Sequence, residues 1–235
     1  MNRVLQKPIA FLGAAACLFA SLAAAQSFPE MPINGKTLRV QDQAEEVYER
    51  ADFERAFFIY RNELVPIGDK YGQYMVGFMY LTGKGIAEDR VIASAWYRLA
   101  AERGTKEFIQ SRDQVMTSLD AAQRAESDRV FVELRQEYGD LVLLARAIRK
   151  DYEELRARTG SRLSADSSPV AVVDMSSSGV SRSGSEYYGR IERQMKARLE
   201  YIVKHTEIGI IDLDAENIDI DSIERQIAAH LSQVD

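Results

Sequence analysis

The stretch that most constrains this chain runs from Gly72 to Gly104, GQYMVGFMYLTGKGIAEDRVIASAWYRLAAERG. Gly72, Val76 and Tyr80 fall on one helical stripe with Gly77 beside it, and Ala93, Trp96, Tyr97 and Ala100 repeat the spacing further on. Between these segments Gly83 and Gly85 can supply the positive φ angles of a sharp turn, and Gly104 can end the second segment. Asp89 is placed to cap that second helix. A glycine inside a helix costs roughly 1 kcal/mol relative to alanine, so Gly77 is explained by a partner helix that must come close. The spacing therefore predicts two short helices joined by a glycine-pinned turn. Such a pair cannot bury its apolar faces alone and must stack on neighbours.

The flanks read as further helices. Residues 26–39 hold Pro29, Pro32 and Gly35 and are expected to be an extended lead-in, with a helical domain over 40–158. Ala44, Val47 and Tyr48 share helical spacing; Asp52 then opens a second helix through Leu64, which Pro66 and Gly68 close. Downstream, Phe108, Val115 and Leu119 mark one helix, and Asp120 with Gln123 forms a capping box. Ala125, Val130, Val132 and Leu134 continue the helical pattern to a break at Gly139–Asp140. Leu141 to Leu155 is expected to be a long exposed helix or helical hairpin. Residues 159–185 are crowded with Ser and Gly and read as a flexible linker, with Pro169–Met175 as an apolar island able to add a strand. The C-terminal region 186–235 returns to helix, with Ile191, Met195, Leu199 and Ile202 on one face and Ile223, Ile227 and Leu231 on another.

The first residues read as an address. Arg3 and Lys7 precede an almost wholly apolar or small run from Ile9 to Ala25, and the alanines before Gln26 suit a signal peptidase. Residues 1–25 are thus expected to be a signal peptide, cleaved near Ala25/Gln26, and the mature chain to be periplasmic with no transmembrane segment. An uncleaved anchor is the alternative. The single cysteine, Cys17, lies inside that apolar run and not at its end, which argues against lipoprotein processing. A mature chain without cysteine has no disulfides, thiolate metal site or cysteine nucleophile. Losing Arg3 and Lys7 takes the basic residues from 30 to 28 against 36 acidic ones, moving the net charge from −6 to −8. That acidity disfavours nucleic acid, whose phosphates bind clustered Lys and Arg.

On Gly77, Tyr80, Gly83, Gly85 and Asp89, followed by Ala93, Trp96, Tyr97, Ala100, Ala101 and Gly104, the segment resembles a Sel-one-like repeat (SLR), a relative of the tetratricopeptide repeat. Gly72, Val76 and Ile86 stand where the family carries alanine, leucine and valine. The resemblance covers residues 72–104, with Asp52-Phe53-x-x-Ala56 similar to part of a decayed preceding unit, and it does not extend beyond about residue 120. It implies an all-α chain: a short right-handed α/α solenoid, with a helical C-terminal extension after the Ser/Gly-rich linker. It also implies an exported adaptor that binds a protein partner in the bacterial envelope without catalysis. The second helix, from Trp96 to Arg103, would stack the units. The first helix, Tyr71 to Leu81, would line the groove, with Gln73 and Phe78 as candidate contacts.

Two other readings stay open. A cell-wall-related hydrolase or penicillin-binding protein on the same solenoid is one, although no nucleophile–base pair stands out. A structural protein self-associating through helices 141–158 and 186–206 is the other. No catalytic, cofactor or metal residue is assigned. His205 and His230, the only histidines, lack a metal-ligand spacing. The acidic run from Asp212 to Asp221 fails as an EF-hand, because Asn217 and Ile223 occupy the places for glycine and glutamate.

Overall fold

A computed structural model describes residues 35–159, 171–173, 181–206 and 219–233. The expected signal peptide, most of the Ser/Gly-rich stretch and most of the acidic run lie outside them. The described residues are helical apart from one short antiparallel pairing of β1 (Ala171–Val173) with β2 (Ser181–Ser183). That pairing falls in the stretch read as a linker, and β1 lies inside the apolar island.

The first helix, α1 (Gly35–Glu49), begins before Val40, inside the expected lead-in. Its opening turn exposes Lys36, Leu38 and Arg39, so the apolar period that betrays a helix starts only further along. Ala51 takes a left-handed φ of 61° at the turn into α2 (Phe53–Ile59), a conformation that costs a non-glycine residue roughly 1–2 kcal/mol. Asp52 sits at the N-cap of α2 but makes no side-chain capping bond. The helix continues as a π turn, Tyr60–Leu64, and a 3-10 turn, Val65–Ile67, ending at Gly68 with φ 75°. Pro66 has no N–H to give the i−4 carbonyl, which is a local reason for the change of winding.

The central pair is α3 (Lys70–Thr82) and α4 (Arg90–Ala100), followed by a 3-10 turn, Ala101–Arg103. Asp69 caps α3 by accepting from the Gly72 N–H at 2.6 Å, and Asp89 caps α4 by accepting from the Ile92 N–H at 2.9 Å. Gly83, Gly85 and Gly104 take φ of 66°, 74° and 76°, as their places in the sequence require. Gly77 faces α4 so closely that a Cβ would stand 3.1 Å from Trp96 Cβ and 3.2 Å from the Ala93 carbonyl oxygen. Gly72 is tighter still: a Cβ there would lie 2.7 Å from Leu64 Cβ, so an alanine at this position has no room unless Leu64 shifts.

Next come α5 (Lys106–Ser118) and α6 (Ala121–Tyr138), the latter opened by the Asp120–Gln123 capping box. Cross-contacts bring alternate helices together. Tyr71 of α3 donates to Glu45 of α1 at 2.5 Å, and Tyr74 stacks on Phe108 of α5 at 5.0 Å. On the other side Trp96 of α4 meets Tyr138 of α6 at 6.0 Å, while the Ser94 and Ser127 hydroxyls share a hydrogen bond of 2.5 Å. Tyr71, Trp96, Phe108 and Tyr138 belong to one apolar cluster whose buried members run from Ala44 to Tyr138, with Tyr74 packed against it.

A second cluster shares no residue with the first. It joins α7 (Asp140–Thr159), α8 (Gly184–His205) and α9 (Ile220–Gln233) through Leu144, Ile148, Met195, Leu199, Ile202, Ile223, Ile227 and Leu231. The long exposed helix expected over 141–155 is thus corrected: Leu144 is 0 % and Ile148 1 % exposed, because α8 and α9 cover that face. A fully buried Leu or Ile side chain contributes about 1.5–3 kcal/mol, so leaving this stripe in water would be costly.

Candidate protein-binding surface

The residues chosen from the sequence as a binding face are placed differently by the fold. Tyr71, Gly72, Gln73, Met75, Val76, Gly77 and Met79 are all buried, so most of α3 is covered by its neighbours and does not line an open groove. Gln73 is 0 % exposed, contrary to its expected place on the surface. Its amide oxygen accepts from Lys70 Nζ at 3.1 Å and its amide nitrogen reaches the Tyr138 carbonyl at 3.4 Å. A buried amide is tolerated only when paired in this way.

Phe78 is half-buried, with its ring 6.5 Å from Tyr48. Together Phe78, Tyr48 and Phe53 surround the ammonium of Lys84, whose Nζ lies 5.7, 5.0 and 4.9 Å from their centroids and donates to the Tyr48 hydroxyl at 2.7 Å. The face of Phe78 nominated for a partner is therefore in part occupied by the chain's own cation. Next to it Gly85 abuts α2, where a Cβ would come within 2.3 Å of the Phe53 carbonyl oxygen.

Other residues of the 72–104 segment are likewise engaged inside the fold. Trp96 and Tyr97 are each 2 % exposed, and Ala93 and Ala100 are fully covered. Tyr80 sets its ring edge-on to Phe57 at 5.5 Å. Arg61, carried by the π turn, lies 5.1 Å from the Trp96 ring and 4.7 Å from the Tyr138 ring, and donates to the Tyr138 hydroxyl at 2.9 Å. No local signal pointed to this stack, because its members are far apart in sequence and Arg61 belongs to no apolar stripe.

A cluster of buried charges, built from residues far apart in sequence, carries no local sequence signal either. Lys70, 1 % exposed, donates to the Leu99 carbonyl at 2.9 Å and to Glu102 Oε2 at 2.9 Å, and stands 3.1 Å from Asp140 Oδ1. Arg103 grips the same Asp140 with two bonds, Nε to Oδ2 at 2.9 Å and Nη2 to Oδ1 at 2.8 Å. Burial works to raise the Asp140 carboxyl, but Lys70 and Arg103 outweigh it and hold the group below the usual carboxylate range. Burial pushes the neighbouring Asp69 carboxyl up, against the Gly72 N–H, Gln41, Arg103 and Lys70. Every group named here already has protein partners, so the cluster is built to hold charge in place. The phenols nearby are similar: burial pushes Tyr60 and Tyr71 up, and both donate to Glu45 as neutral hydroxyls.

What remains open to a partner lies elsewhere. A groove of about 420 Å³ runs between α6, α7 and α9, with Val142, Ala145, Ile227 and Leu231 on its apolar part and Gln136, Arg146 and Glu224 as its polar lining. Phe58 on α2 is 59 % and Leu38 on α1 48 % exposed, large apolar side chains left in solvent. His230 lies in the last turn of α9, and among the described residues no group of His, Cys, Asp and Glu has the geometry to hold a metal ion. No helix among them is long and apolar enough to cross a membrane. Compared with known proteins, the chain matches no family model, no curated protein and no solved structure.

Proposed function

We propose that this protein is an exported, non-catalytic adaptor: a short SLR-type right-handed α/α solenoid that binds another protein of the cell envelope. The observation that carries this reading is the division of labour within residues 72–104. The turn glycines adopt the positive φ angles, Asp89 caps, Gly77 admits α4, and Trp96 and Tyr97 are buried. The whole motif is engaged in architecture, as in a scaffold module. The adaptor reading is preferred to self-association because the described apolar faces of α7 and α8 pack on each other and on α9.

Contact with a partner then falls to exposed side chains outside α3, foremost Phe58 and the groove beside Ala228. Photo-crosslinking residues placed at Phe58 and Ala228 in the intact envelope should capture a defined protein at one of the two positions. No adduct above background at either would count against the adaptor reading. Export is tested separately by the intact mass of the protein from periplasmic extract: a chain starting at Gln26 supports it, and one retaining residues 1–25 does not.

A further inference from the structure

The two apolar clusters of this chain meet across a joint in which charge is buried. Asp140 is the first residue of α7, directly after the break at Gly139, and its carboxylate points back into the first unit. Lys70 at the start of α3 and Arg103 after α4 both ion-pair with it, and its own backbone N–H donates to Glu102 Oε2 at 3.3 Å. Arg135 of α6 adds a longer pair with Glu102 at 3.6 Å. From the second unit Tyr201 of α8 feels the charges of Asp140, Arg103 and Glu102. Asp69, next to Lys70, acts on both Lys70 and Arg103. Lys70, Arg103 and Arg135 are thus set against Asp69, Glu102 and Asp140, a balance that fails when Asp140 is neutralised.

We propose that this cluster is an acid-sensitive latch, which docks the unit α7–α9 on the unit α1–α6 near neutral pH and releases it in acid. Buried ion pairs are poor sources of net stability, but removing one member leaves the other charges uncompensated in a site closed to water. At this joint Arg103 would lose both bonds of its fork on Asp140 and Lys70 one of its two carboxylates; the two cations are held by different segments of the first unit, and the carboxylate they lose belongs to the second. Undocking lets water reach all three. Asp140 has its folded value lowered, so its contribution is complete above the unfolded value of about 3.9 and is lost as pH falls through the folded value. Asp69 acts in the opposite direction. Its value is raised by burial, so protonating it relieves a cost and does not drive release.

The test places spin labels on Gln114→Cys in α5 and Glu192→Cys in α8, both exposed sites, with Cys17→Ser in the same chain. Inter-label distance and far-ultraviolet circular dichroism are then followed against pH. The latch requires a single narrow distance at neutral pH that broadens reversibly below about pH 4 while helicity is kept. Asp140→Asn should show the broad distribution already at neutral pH, and Asp140→Glu should keep the narrow one. A narrow distance that persists in acid until helicity itself is lost overturns the proposal, as does an Asp140→Asn protein that stays narrow at neutral pH. Should Asp140→Asn fail to fold, the titration of the unsubstituted chain decides alone.

Discussion

Gly77 and Gly189 both lie inside helices, yet they stand for opposite ways of building a core. At Gly77 in α3 a methyl group would press on Trp96, Tyr97 and the backbone of α4. At Gly189 in α8 it would meet, among the described residues, only the far end of the Arg193 side chain, at 3.5 Å. The first unit is assembled by close approach of backbones, with aromatic edges and left-handed turns filling what is left. The second is assembled by an aliphatic stripe of Ile, Leu and Met at helical spacing, which needs no special backbone. Sequence economy differs accordingly. The first unit spends particular residues at particular positions, whereas the second asks only for volume on one face.

Substitutions can break that contrast. Gly85→Ala should cost about 4 kcal/mol, as much as any single change considered, because φ is 74° and the new methyl would collide with the Phe53 backbone. A melting curve within a degree or two of the parent would show that the turn can move away from α2. Trp96→Ala should cost about 3–5 kcal/mol as a buried large aromatic, measured by chemical denaturation; a near-zero change would mean that the Arg61 and Tyr138 stack closes over the gap. Leu199→Ala in the second unit should cost about 3 kcal/mol by the same assay. If instead it proves neutral, the α7–α9 core is loosely packed. Gly77→Ala should destabilise by about 1 kcal/mol, crowding outweighing helix propensity, while Gly189→Ala should stabilise by about 0.5–1 kcal/mol. Like signs for these last two would remove the distinction between the units.

The same contrast explains what was legible beforehand. Turn glycines, the Asp89 cap, the Asp120–Gln123 box and the Ile/Leu faces of α8 and α9 are local signals, and each falls where its spacing places it. Gln73 was misplaced because a polar side chain on a helix defaults to the surface, and its burial depends on Lys70 and on the Tyr138 carbonyl. Ser127 was missed for a related reason: a small hydroxyl carries no apolar signal, yet against Ser94 it lets α6 lie close to α4. Ala51 shows that a left-handed turn can arrive without glycine. The Lys70–Asp140 pair joins residues 70 apart, a distance over which no periodicity speaks.

Consider finally the tip of the turn between α3 and α4. Gly85 is seated against the Phe53 carbonyl, and Lys84 beside it is lodged among three rings of the preceding helices and their junction. The turn between α3 and α4 is therefore pinned to α1 and α2 at its tip as well as by contacts along the helix faces. Such a joint resists bending better than contact along the helix faces alone. Pulled from its ends, this part of the chain should yield as a stiff bracket and not extend as a spring.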